Sequence, residues 1–93
     1  MASVKLYRDA NFKGGFVELS SDCKKLSDLN FNDVVSSVEV ISGTFTLFED
    51  TNFGGWSLTV SSKGGQNSDG KYPNSGWIAD RNDKISSVKK NSD

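Results

Sequence analysis

Histidine is absent from this chain of 93 residues, and cysteine and proline occur once each, as Cys23 and Pro73. The chain therefore lacks the commonest general base and the commonest transition-metal ligand. A single cysteine also excludes an internal disulfide and a thiolate-rich zinc site, so we expect Cys23 to be a small apolar filler. We predict that the protein is not an enzyme and that oxygen ligands, which suit calcium or magnesium, hold any bound metal.

An excess of charge is also missing, since 11 basic residues face 12 acidic ones and the net charge is −1. The basic residues are spread along the chain, which argues against nucleic acid or an anionic membrane as a partner. No apolar run approaches the roughly 20 residues of a membrane span, and the first residues lack the apolar stretch of a signal peptide. The location stays open between the cytoplasm and secretion after processing.

What the chain does contain is a duplication. Residues 6–15 and 47–55 share an aromatic residue, an Asp, an Asn, a Phe and paired glycines, and an alternating apolar run follows each. Further along, the hexapeptide Asn-Asp-x-x-Ser-Ser occurs at 32–37 and again at 82–87. We predict one all-β domain over 1–93, with about four strands per repeat and repeats at about 3–42 and 43–90. Residues 61–76, rich in Gly, Ser and Asn, are interpreted as a loop.

The aromatic and glycine block predicts a folded hairpin. Gly14 and Gly55 stand where a tight turn needs a positive φ angle. The flanking aromatic residues could then pack in pairs over the sheet, Tyr7 with Phe12 and Phe48 with Phe53. We interpret these residues as structural.

This pattern resembles the Greek key signature of the βγ-crystallins over essentially the whole chain. The residues that carry the resemblance are Tyr7, Phe12, Gly14 and Ser37 in the first motif and Phe48, Phe53, Gly55 and Ser87 in the second. Trp77 is similar to the tryptophan that marks the second type of motif in that family. The resemblance implies a β-sandwich of about eight strands, in which the two serines pin the folded hairpins.

The duplicated hexapeptide is similar to the calcium-binding pattern of the microbial and other non-lens members of the family. The resemblance implies two calcium ions, with each motif lending an aspartate to the site of the other. One site would use the Arg8 and Val34 carbonyls, the Ser36 hydroxyl and the Asp83 carboxylate. The other would use the Glu49 and Lys84 carbonyls, the Ser86 hydroxyl and the Asp33 carboxylate. Hydroxyl, carbonyl and carboxylate oxygens are the donors that calcium accepts.

Two alternatives stay open at this point. The hexapeptides are also compatible with plain turns before strands, because Asn, Asp and Ser bond to their own backbone. Alternatively, Trp56 or Trp77 with the 61–76 loop could form a sugar-binding or protein-binding surface, even an inhibitory one, with any metal only structural. A ring exposed beside that loop would favour this second alternative, and core packing would disfavour it. We expect a monomer.

Overall fold

The structure is a computed structural model that describes residues 2–31, 35–65, 67–73 and 85–92. These residues form seven strands and two short 3₁₀ turns, at Leu26–Leu29 and Thr51–Phe53. The strands are β1 (Ser3–Asp9), β2 (Lys13–Leu19), β3 (Ser37–Ser42), β4 (Thr44–Asp50), β5 (Gly54–Ser61), β6 (Lys71–Tyr72) and β7 (Ser87–Ser92). The prediction of an all-β Greek key sandwich is confirmed. Within the described residues no helix is long and apolar enough to span a membrane.

The strands form two antiparallel sheets with corresponding strand arrangements. The first sheet has the order β2-β1-β3-β6 and the second the order β5-β4-β7. Each is built around the first strand of its repeat, which forms a hairpin with the next strand and pairs on its other side with the strand that follows the hexapeptide. The strands form because apolar and polar residues alternate, as with Val4 and Leu6, which both point into the core.

The two repeats exchange their connecting segments. Strand β6 belongs to the second repeat, yet it pairs with β3 of the first sheet through Val38 and Tyr72. In return Cys23, from the first repeat, pairs with Val88 of β7 in the second sheet. Each connecting segment also accepts a backbone hydrogen bond from the opposite hairpin, Asn11 N to Pro73 O at 2.7 Å and Asn52 N to Lys24 O at 2.8 Å. Each sheet is therefore completed by a segment of the other repeat.

Strand β6 corrects the interpretation of residues 61–76 as a loop. Ser61 ends β5, Lys71 and Tyr72 form β6, and Tyr72 is buried with its hydroxyl accepting a hydrogen bond from Ser61 N at 3.2 Å. A strand of two residues is too short for apolar alternation to show in the sequence. Its place is set by the burial of one ring and by its partner strand β3.

A single apolar cluster fills the space between the sheets. It draws on both repeats and consists of Ala2, Val4, Leu6, Leu26, Phe31, Val35, Val38, Val40, Phe45, Leu47, Val60, Tyr72, Ile85 and Val88. At about 25 cal/mol per Å² of apolar surface, burial of these side chains is the main stabilising contribution. The cluster includes Val35 and Ile85 of the two hexapeptides, so the sandwich core reaches the predicted calcium loops.

Candidate functional site

Both hairpins fold over through the same unusual backbone. In the first, Asn11 and Phe12 have φ angles of 60° and 62°, and in the second, Asn52 and Phe53 have 57° and 62°. Positive φ is common for Asn but is a genuine outlier for Phe. Gly14 follows with φ at 74°, where an added Cβ would lie 2.7 Å from Asp9 Oδ2. The sequence indicated the turn from its glycines and asparagines, but it gave no sign that the phenylalanines are also left-handed.

A buried serine, the last residue of each hexapeptide and the first residue of the strand that begins there, holds each turn. The Ser37 hydroxyl donates to Asp9 O at 2.6 Å and accepts from Phe12 N at 3.0 Å. Ser87 repeats the arrangement, donating to Asp50 O at 2.6 Å and accepting from Phe53 N at 3.1 Å. Both serines are fully buried. Each therefore ties a strained turn to the end of the sheet where the hexapeptides lie.

The aromatic residues of each hairpin pack as pairs. The ring centroids of Tyr7 and Phe12 are 5.6 Å apart in an edge arrangement, and those of Phe48 and Phe53 are also 5.6 Å apart. The first hairpin has a third ring, Phe16, at 5.4 Å from Tyr7 and half exposed. Such pairs stabilise by about 0.5–1.5 kcal/mol beyond the burial of their area. The rings cover the outer surface of the sheet, which buries Tyr7 as well as its core-facing neighbour Leu6.

Burial of Tyr7 raises the pKa of its hydroxyl, and the nearby Glu39 carboxylate raises it further. The Tyr7 hydroxyl donates to Glu39 Oε1 at 3.3 Å, a contact that favours the protonated phenol. The charge of Glu18 acts in the same direction. The folded protein therefore resists ionisation of Tyr7 more strongly than the unfolded chain does.

The backbone brings the first serine of each hexapeptide next to the strand residue that was predicted to share its calcium. Ser36 N donates to Tyr7 O at 2.9 Å, and Ser86 N donates to Phe48 O at 2.8 Å. Because Arg8 follows Tyr7 and Glu49 follows Phe48, each serine lies beside one of these two residues. The contact is the same in both repeats. Two pairs of predicted oxygen donors, Ser36 with Arg8 and Ser86 with Glu49, thus stand at corresponding places in the two sheets.

The other predicted ligands lie outside the described residues. These are Asp33 and Val34 of the first hexapeptide and Asp83 and Lys84 of the second, and Trp77 lies outside as well. Among the described residues no three carboxylate or thiol groups gather to form a metal site. The donor chemistry still fits calcium, because hydroxyl and carbonyl oxygens need only one carboxylate for each ion to make a weak site.

Arg8 makes contacts that the sequence did not indicate. Its Nη2 donates to Asn30 O at 3.0 Å, and its Cζ lies 4.5 Å from the centroid of the buried Phe31 ring. Asn30 and Phe31 directly precede the first hexapeptide. A charge-assisted hydrogen bond and a cation–π contact therefore tie the end of β1 to the start of that loop. Arg8 and Asn30 are separated by 22 positions in the sequence, which explains why no local pattern could reveal the contact.

Trp56 and Cys23 both pack against the apolar cluster while partly exposed. Core packing of Trp56 disfavours its use as the platform of a sugar site. Burial raises the pKa of the Cys23 thiol, so the thiol form is favoured over the reactive thiolate. Cys23 also borders an open surface depression of about 590 Å³ beside Leu29 and Asn52.

Comparison with known proteins agrees with this geometry. The sequence matches the Beta/Gamma crystallin family over residues 3–90. A beta/gamma-crystallin of Ciona intestinalis is 38% identical over 89 residues, which cover 96% of this chain and 98% of the relative. The solved structure of a beta gamma crystallin from Ciona intestinalis is similar with a TM-score of 0.85 at 37% identity, covering 96% of this chain and 99% of that one. A βγ-crystallin from an archaeon has a TM-score of 0.82 at 30% identity, covering 97% and 98% of the two chains.

Proposed function

The chain belongs to the β/γ-crystallin family, a family of structural domains, and on that premise we propose that it binds two calcium ions at its hexapeptide loops. The observation that carries the proposal is the duplicated contact between the hexapeptide serine and the strand. Ser36 N donates to the Tyr7 carbonyl at 2.9 Å, which places Ser36 beside Arg8. Ser86 N donates to the Phe48 carbonyl at 2.8 Å, which places Ser86 beside Glu49. If the hexapeptides were only turns, the second repeat would not need to keep the same oxygen donors at the same positions beside its strand.

Each ion has a proposed set of oxygen donors. The first takes the Arg8 and Val34 carbonyls, the Ser36 hydroxyl and the Asp83 carboxylate. The second takes the Glu49 and Lys84 carbonyls, the Ser86 hydroxyl and the Asp33 carboxylate. Water completes the six to eight oxygens that calcium accepts. With about one carboxylate per ion, the expected dissociation constants lie at roughly 10⁻⁶ to 10⁻³ M, and magnesium binds more weakly.

Bound calcium would stabilise the fold. A ligand that binds only the folded state adds about 2.7 kcal/mol per site at a hundredfold excess over its Kd. Small domains have a total stability of about 5–15 kcal/mol, so two such sites are a large share of it. Calcium also neutralises the carboxylates of Asp33 and Asp83. We therefore propose that calcium binding serves to stabilise the domain.

Isothermal titration calorimetry of the demetallated chain tests the proposal. Calcium chloride should give heat that fits two sites, and magnesium chloride should give weaker binding under the same conditions. A double variant, Ser36→Ala with Ser86→Ala, removes both proposed hydroxyl donors and should weaken both sites. The matched control is Ser57→Ala, an exposed serine on β5. No heat from the unmodified chain up to millimolar calcium would refute calcium binding.

A further inference from the structure

Corresponding positions of the two repeats carry opposite charges. Arg8 and Glu49 each follow the first aromatic residue of the repeated block, Tyr7 in residues 6–15 and Phe48 in residues 47–55, and each precedes the Asp of that block. Each lies beside the hexapeptide serine that bonds to the preceding carbonyl, Ser36 at Tyr7 and Ser86 at Phe48. The backbone at the two positions is therefore equivalent, while the side chains differ by two units of charge. A metal ion bound beside Arg8 would therefore be near a positive side chain, and one bound beside Glu49 would be near a negative side chain.

Arg8 is exposed, but two contacts direct its positive charge toward the first loop. Its guanidinium is held by the Asn30 carbonyl at 3.0 Å and by the face of the Phe31 ring at 4.5 Å. Those residues lead directly into the first hexapeptide. The contacts keep the charge on the side of the first loop. Glu49, at the second position, is only partly exposed, and it lies near the equivalent end of β4.

We propose that Arg8 and Glu49 set the affinities of the two calcium sites in opposite directions. Arg8 weakens the site that uses its own carbonyl, and Glu49 strengthens the other. The inference rests on the proposed calcium function and concerns the effect of each side chain on its own site. The ranking of the two sites also depends on Arg81 and Lys84, which lie outside the described residues.

The size of each effect follows from Coulomb's law with salt screening. A single charge roughly 8 Å from a divalent ion in a water-like dielectric changes its Kd by about fivefold without salt. At 0.15 M ionic strength the Debye length is about 8 Å, which reduces the change to about twofold. At 0.01 M the Debye length is about 30 Å, and most of the fivefold change returns. An electrostatic effect must therefore grow as salt is removed.

Calorimetric titrations of the demetallated full chain with calcium chloride, at 0.01 and 0.15 M ionic strength, test the inference. Arg8→Gln should tighten one of the two binding steps by about fourfold at 0.01 M and by about twofold at 0.15 M ionic strength. Glu49→Gln should weaken the other step by similar factors. The matched control is Lys63→Gln, which removes an exposed charge just beyond the far end of β5. By strand length this charge is roughly 20 Å from the end of β5 that pairs with Asp50, next to Glu49.

Arg8→Lys separates charge from packing, because it keeps the positive charge but loses the planar guanidinium contacts. Its two dissociation constants should stay within about twofold of those of the unmodified chain. The inference is overturned if Arg8→Lys changes binding as much as Arg8→Gln, if the changes do not depend on salt, or if Lys63→Gln reproduces them. Absence of binding by the unmodified chain would instead refute the proposed function itself.

Discussion

Replacing Ser37 with alanine removes one hydroxyl that bonds to two backbone groups at once. The Ser37 hydroxyl donates to Asp9 O at 2.6 Å and accepts from Phe12 N at 3.0 Å, and the side chain is fully buried. Alanine fits the same space because it only lacks the oxygen. The substitution therefore tests the hydrogen bonds without adding bulk to the sandwich.

The expected loss of stability is about 2–4 kcal/mol. Each hydrogen bond contributes about 1 kcal/mol net, and a buried group left without a partner costs about 1–3 kcal/mol. Access of water to the turn would keep the loss near the lower end of that range. Relaxation of the turn would act in the same direction, because Phe12, with φ at 62°, is held in a backbone region that side chains disfavour. Ser87→Ala should give a similar loss, since its two hydrogen bonds are 2.6 and 3.1 Å long.

Urea unfolding at equilibrium, followed by tryptophan fluorescence, measures the loss in the free energy of unfolding. The melting temperature should fall by about 4–8 °C for each kcal/mol lost. The measurements should be made both with chelator and with excess calcium. Ser37 is not a proposed calcium ligand, so the loss of stability should be the same under both conditions. Ser57→Ala, on an exposed face of β5, should change stability by less than about 0.5 kcal/mol. A loss below about 1 kcal/mol for Ser37→Ala, or an equal loss for Ser57→Ala, would refute the reasoning.

The other predictions concern calcium and pH. Adding chelator to the calcium-loaded protein should lower its melting temperature, by an amount equivalent to about 2.7 kcal/mol per site at a hundredfold excess over Kd, and an unchanged melting curve would contradict this. Asp33→Asn should damage the site built mainly by the second motif, and Asp83→Asn the site built by the first. Combining each variant with Ser36→Ala in calorimetry tests whether each motif lends its aspartate to the site of the other. Ser36→Ala and Asp83→Asn should then affect the same binding step, and Asp33→Asn the other. Stability should fall as pH rises above about 10, because the folded pKa of Tyr7 is raised and the unfolded chain loses that proton first. In Tyr7→Phe the part of this alkaline loss due to Tyr7 should vanish, and an identical pH profile in urea unfolding would count against the assignment.

The sequence predicted the features that are local and duplicated. Alternating apolar residues indicated the strands, and the positive φ of Gly14 agrees with the turn inferred from its place after Phe12. The all-β Greek key class followed from the repeated block, and the structure and its relatives confirm it. The predicted count was about eight strands, and the described residues contain seven. The metal ligands stay predictions, since half of them lie outside those residues.

The features that the sequence did not predict depend on contacts between distant residues. The left-handed backbone of Phe12 is supported by a hydrogen bond from its amide to the hydroxyl of Ser37, 25 residues away. The contacts of Arg8 with Asn30 and Phe31 join residues that no period connects. Strand β6 has two residues, so its pairing with β3 is decided by the burial of Tyr72 and not by alternation.

The exchange of connecting segments makes the two copies mutually dependent. In linear repeat proteins each unit contacts only its neighbours, so units can be gained or lost one at a time. Here the loss of the second copy would take β6 away and expose Val38 and Glu39 as an open sheet edge, and the loss of the first would expose Val88. An open edge invites pairing with another chain. The copies are thus free to diverge in sequence, as Arg8 and Glu49 have done, but neither can be discarded, and a solitary copy would have to recruit a second one to close its sheet.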